Sequence, residues 1–193
     1  SCGTAEASLR TARPGLSEQL VAELAGDGIT VGAHAASGRW CVLGATEGGR
    51  VLGTVMQALG MDRDDLAQLD ERAAQAQNRP DAVVFDRDGT DVRVDPDASP
   101  GEVWRAATRA VTRQSAELSE RISRVTGPSR AVVASGGWTH STAFMRAKRE
   151  HGADLQVPRV DEAGCRGAAL FAGLAAGVYA DLDDLPAPEL DRA

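Results

Sequence analysis

The sequence predicts an α/β protein in which helices cover a mixed sheet. Two observations carry this. Apolar runs of strand length alternate with longer stretches of helical periodicity, most clearly in the second half of the chain. Two loops that precede helices carry paired glycines, Gly48-Gly49 and Gly136-Gly137, and the second directly follows the apolar run 131–134. In sheets of this kind ligands sit at the carboxyl ends of strands. The 193 residues suffice for one well-buried domain, and 42% hydrophobic with 25% charged residues is ordinary globular composition.

The elements follow in order. Residues 1–13 read as an extended segment broken by Gly3, and 16–24 as a short helical or irregular stretch. Ile29 to Ala35 and Trp40 to Leu43 read as two strands, with Ser37-Gly38 turning a hairpin between them. Val51, Leu52, Val55, Met56 and Leu59 recur at helical spacing, and Gly60 ends that helix. Asp62 caps a further helix to about Ala76. Ala82 to Phe85 is a short strand, and 86–100 is an Asp-, Gly- and Pro-rich loop with a small hairpin at 91–94. Pro100 opens the longest helix, to about Val125, with Trp104, Ala107, Val111, Leu118, Ile122 and Val125 as its buried stripe and Gly127-Pro128 as its stop. A helix from about His140 to His151, a strand at 155–157 and a last helix from Asp161 to Val178 complete the pattern. Gly164, Gly167, Gly173 and Gly177 predict close approach of that last helix to its neighbours, and the acidic, Pro-containing tail 181–193 reads as a solvated end beyond a single domain at 1–180.

A net charge of -7 argues against a nucleic-acid partner, which calls for a basic face. No apolar run approaches the length of a membrane span, and the first residues have neither a charged leader nor an apolar stretch. Cys2, Cys41 and Cys165 are odd in number and far apart, which predicts buried thiols in a reducing cytoplasm rather than a disulfide framework. No pair of them has metal-ligand spacing with His34 or His140, so no metal site is expected. Asp86 and Asp88 match only the opening of a calcium loop, and Asp181, Asp183 and Asp184 read as a solvated face.

The chemistry is concentrated in the glycine bends. A glycine pair lets the backbone turn sharply and leaves no side chain in a ligand's way. The helix N-terminus beyond it offers unpaired N–H groups and partial positive charge, which suit a phosphate. Taken alone, each pair also serves as plain turn geometry, and so does Gly3-Thr4. Trp40 and Trp104 read as packing residues, and the three histidines have no Ser or Cys partner at recognisable spacing.

A larger pattern joins these bends. Ala-Ser-Gly-Gly-Trp-Thr-His-Ser at 134–141, a helix, Leu-Gln-Val-Pro at 155–158, and Asp-Glu-Ala-Gly-Cys-Arg-Gly-Ala-Ala at 161–169 together resemble the C-terminal half of the FGGY carbohydrate kinases. The opening Ser1-Cys2-Gly3-Thr4-Ala5 is similar to that family's phosphate loop, His34 to Trp40 to its His-x-x-x-Gly-x-Trp hairpin, and Glu47-Gly48-Gly49 to its turn before a helix. The resemblance spans nearly the whole chain and is weakest between about 62 and 101.

This resemblance implies a ribonuclease H-like domain of the actin and hexokinase kind, acting in a kinase that moves the ATP γ-phosphoryl group to a sugar or polyol hydroxyl with Mg²⁺ as companion ion. It implies that Gly3 and Thr4 face the β- and γ-phosphates, that Gly48 and Gly49 line the nucleotide cleft, that Gly136 and Gly137 lie against the adenosine or its phosphates, and that Ser141 lies near the adenine. It implies no catalytic residue here, because the family's base is an Asp before the Gly-Thr loop and no Asp precedes Gly3. The chain thus reads as a fragment, inactive without an N-terminal sugar-binding domain. Trp138 and His140 depart from the family, which has a small residue at the first position and a basic or small one at the second. The alternative is a non-catalytic module of the same fold that has lost nucleotide binding and self-associates, for instance as a homodimer, through its bared cleft face. The nucleotide reading requires that the three bends converge on one polyanion.

Overall fold

Capping and turn residues set most element boundaries. The computed structural model describes residues 1–13, 15–86, 90–129, 131–152 and 154–192. Strand β1 (Glu6–Ala12) leads to helix α1 (Glu18–Gly26), whose Ser17 Oγ accepts from the Leu20 amide. Strands β2 (Thr30–Ala33) and β3 (Trp40–Thr46) form the expected hairpin, turned at Gly38 with φ 69°. Helix α2 (Gly48–Ala58) buries Val51, Leu52, Val55 and Met56 and ends at Gly60, φ 67°. The Asp62 carboxylate then accepts from the Asp64 amide and that of Asp65 from the Asp62 amide, and a short turn at Arg63–Asp65 runs into α3 (Leu66–Gln75). Strands β4 (Val83–Phe85) and β5 (Val92–Val94) pair antiparallel; residues 87–89, with most of the Asp86-Arg87-Asp88-Gly89 run, lie outside the described residues.

The long helix α4 (Pro100–Thr126) is the spine. Ser99 and Glu102 form a reciprocal capping box, with Pro100 in the first turn. Its N-terminal half packs in the main core with α2, α3 and α5, through Val103, Trp104, Ala107 and Val111. Its C-terminal half packs Leu118 and Ile122 against Leu24, Ile29 and Val42, a second cluster beneath the first sheet. Gly44 on β3 meets Leu118 so closely that a β-carbon there would lie 2.6 Å from Cδ1.

The α/β class is as predicted, but among the described residues the strands divide into three sheets, of which only the last is mixed. They form an antiparallel sheet in the order β1-β3-β2, the pair β4-β5, and a sheet β6-β7-β8. In the last, β6 (Val132–Val133) runs parallel to β7 (Leu155–Pro158), and β8 (Leu190–Arg192) antiparallel to it. So the tail expected as a solvated end contributes a strand, exposed along its length and joined to β7 by Arg159, which donates to Asp191 at 2.8 Å. Cys2 links the two larger sheets: it forms a bridge with Glu6, and its amide donates to the Ser135 carbonyl at 2.5 Å.

Four further expectations need correction. The helix placed at about His140 begins at Thr142, as α5 (Thr142–Arg149), because Gly137–His140 first makes a tight 3₁₀ turn and Ser141 then caps the helix. The last helix is shorter, α6 (Ala163–Ala175), and buries no residue. Its glycines do not mediate contact with other elements: Gly164 and Gly167 face open space, Gly173 makes room for the Tyr179 ring, and Gly177, φ 73°, turns the chain. Of the cysteines only Cys2 is buried; Cys41 is half-buried and Cys165 exposed. No helix among the described residues is long and apolar enough to cross a membrane.

Candidate functional site

The segment Cys2 to Thr4 is where the glycine bends meet. On one side the Trp138 amide donates to the Cys2 carbonyl at 3.1 Å, and Gly136, φ 108°, lies so near that a β-carbon there would come within 2.8 Å of the same oxygen. On the other side a β-carbon on Gly49 would overlap the Gly3 carbonyl oxygen and lie 2.7 Å from that of Thr4. Only glycine permits either approach. The three bends therefore form one continuous surface.

A cavity of about 400 Å³ opens on it, lined by Thr4, Gly49, Arg50, Arg63 and Trp138 among others. The N-terminus of α2 points its first turn here. Glu47 is its N-cap residue and makes no side-chain hydrogen bond to the amides, and the first turn itself carries no acidic side chain. Thr4 adds a hydroxyl. Backbone amides, a hydroxyl and cationic side chains around a concave surface can bind a polyanion such as a nucleoside phosphate.

The remaining predicted residues divide. Gly137 stands beside Arg63, whose Nη1 would be 2.8 Å from a β-carbon there. Gly48 turns inward, toward Glu6 Oε2 and Val111 rather than the cavity. Ser141 is fully buried; its hydroxyl donates to Asp70 Oδ1 at 2.8 Å and accepts from the Phe144 amide at 3.1 Å. Its side chain is therefore engaged in the α5 cap and in Asp70. Trp138 is also buried, 6.0 Å from the Trp104 ring, and its Nε1 makes no hydrogen bond. His140 is exposed.

Two residues at the site escape a reading of the sequence. Asp70 accepts from Trp104 Nε1, Ser141 Oγ and the Thr142 amide, and so ties α3, α4 and the turn after Gly137 together. Its only signal in the sequence is an acidic residue on the apolar face of a helix. Arg63 stacks on Trp138 with Cζ 5.0 Å from the ring centroid, a contact between residues 75 positions apart that no spacing foretells.

Beneath the Cys2–Glu6 bridge, Glu6 pairs with Lys148, and Ser115 Oγ donates to the same carboxylate at 2.6 Å. This network anchors the Gly3-Thr4 loop to α4 and α5. Burial pushes the adjacent Cys2 thiol above its ordinary pKa, with Lys148 pulling the other way.

No protein-family profile matches the sequence, and no curated protein matches it. Solved structures do match its fold. Gluconate kinase from Lactobacillus acidophilus superposes with a TM-score of 0.75 at 15% identity, over 99% of this chain and 41% of that one. Xylulose kinase from Rhodospirillum rubrum gives 0.73 at 20%, over 95% and 39%. Plasmodium falciparum glycerol kinase with ADP gives 0.71 at 16%, over 94% and 38%. The chain thus has the fold of part of a carbohydrate kinase and spans about two fifths of the length of these proteins. The fold of these matches agrees with the fold that the motif resemblance implies.

Proposed function

We propose that this chain is the ATP-binding C-terminal part, with a ribonuclease H-like fold, of a cytoplasmic FGGY-type kinase that phosphorylates a sugar or polyol. The observation that carries the reading is the meeting of the Gly48-Gly49 and Gly136-Gly137 bends on the Cys2–Thr4 segment, beside a cavity that Thr4, Gly49 and Trp138 line. Thr4 and the first turn of α2 would hold phosphoryl oxygens by hydrogen bonds, and the bends at Gly136 and Gly137 would border the nucleoside. Mg²⁺ would offset phosphate charge. The sugar and the base that deprotonates its hydroxyl would come from an N-terminal domain, whose closure on this one would exclude water.

Calorimetric titration with Mg-ATP and Mg-ADP tests this. Saturable binding that is lost in Gly137→Val supports it, and the chain alone should form no ADP when offered sugars. Absence of heat at millimolar nucleotide favours instead a module of the same fold that has lost nucleotide binding.

A further inference from the structure

We infer that Arg63 is a phosphate-contacting cation of the cleft, held in place by the face of Trp138; this rests on the nucleotide reading above. Two arginines line the cavity. Arg50 is paired with Glu47 at 3.1 Å. Arg63 has no carboxylate within 4.0 Å among the described residues, although Asp62, Asp64 and Asp65 are its neighbours in sequence. Asp62 also lines the cavity, but it and Asp65 are engaged by the backbone: Asp62 accepts from the Asp64 amide at 2.9 Å, and Asp65 from the Asp62 amide at 3.0 Å. That reciprocal cap fixes the short turn from which Arg63 projects.

The guanidinium rests on the indole of Trp138, 5.0 Å from its centroid. Stacking of this kind orients the planar fork and leaves its in-plane N–H groups free to donate. Gly137 supplies the room, since a β-carbon there would lie 2.8 Å from Nη1. So the third glycine bend, the unusual tryptophan after it and an unpaired arginine form one unit at the mouth of a cavity that also holds Thr4 and the α2 N-terminus. A planar, permanently charged fork with unused donors in that position matches the oxygens of a di- or triphosphate.

The test is calorimetric titration of Mg-ADP into the wild-type chain, Arg63→Gln and Arg63→Lys, each at about 50 and about 300 mM salt, where screening differs strongly. Circular dichroism checks that the variants fold. Arg63→Gln is expected to weaken binding about tenfold at low salt and to flatten the salt dependence, and Arg63→Lys to keep that dependence with part of the affinity. Affinity within twofold of wild type, or a loss with the salt dependence intact, overturns the role of Arg63 and leaves the nucleotide reading standing. Failure of the wild-type chain to bind Mg-ADP overturns both.

Discussion

Gly49 on α2 touches the backbone of Gly3 so closely that a β-carbon at the first would overlap the carbonyl oxygen of the second. These residues are 46 positions apart, yet neither loop can hold its course without the other. The contact fastens a helix N-terminus to the loop that the motif assigns to phosphates.

Gly49→Ala should therefore act on the site before it acts on the core. Its obstacle is backbone, which cannot rotate away as a side chain would, and overpacking of this kind costs about 1–3 kcal/mol. We expect a lowered Tm together with loss of nucleotide binding. Gly167→Ala within α6, away from the cavity and with nothing within 4 Å of the added carbon, should raise the Tm slightly and preserve binding. Thermal unfolding and calorimetry of the two variants provide the comparison.

Asp70 should matter more to stability than any residue of the cavity wall. Asp70→Ala leaves Trp104 Nε1 and Ser141 Oγ without their partner in the interior, at about 1–3 kcal/mol for each stranded group. Ser141→Ala removes one cap and costs about 1 kcal/mol. Because the Ser141 hydroxyl is already engaged, that variant should bind nucleotide with affinity near wild type once folded. A selective loss of affinity at unchanged Tm would show that Ser141 reaches the ligand.

Lys148→Met strands the Glu6 carboxylate, whose side chain is 5% exposed. Removing one partner of a largely buried ion pair costs about 3–5 kcal/mol. Chemical denaturation should show a shifted midpoint with little change in slope. A loss under about 1 kcal/mol, the range of an exposed pair, would mean that the pair contributes little to anchoring the Gly3-Thr4 loop.

Two groups with shifted pKa values give pH effects of opposite sign. The hydrogen bond from Arg159 holds Asp191 below the usual carboxylate range. A lowered folded pKa favours the folded pairing above the unfolded value, and that contribution is lost as pH falls through the folded one. The β7–β8 pairing should therefore loosen below about pH 4, where a free Asp titrates, and Asp191→Asn should remove the effect; amide exchange of residues 190–192 measures it. Cys2 is shifted the other way. Its raised pKa keeps the thiol protonated, so Cys165 should react with a thiol reagent at mildly alkaline pH well before Cys2 does.

How much of this is legible in the sequence depends on distance along the chain. Caps at Ser17, Asp62 and Ser99 and the stops at Gly60 and Gly127 act within a few residues, so the spans they delimit lie close to those expected. The stripe of α4 is legible because helical spacing alone orients it. The turn between Gly136 and α5 is not, because a 3₁₀ turn leaves the same composition as a helix start. Division of the strands among separate sheets, the engagement of Ser141 by Asp70 and the stacking of Arg63 on Trp138 are all tertiary, and the two side-chain contacts join residues 71 and 75 positions apart. The motif resemblance points to the site, and the clash geometry at Gly49 and Gly136 supplies the physical reason that the bends meet.

Amide chemical-shift mapping by NMR during titration with Mg-ADP tests the shared nucleotide surface head-on. The largest shifts should fall together on Gly3, Thr4, the first turn of α2, Arg63 and residues 136–138, while β8 and the C-terminal half of α4 stay still. Saturable shifts confined to other surfaces, with those three bends silent, would contradict it.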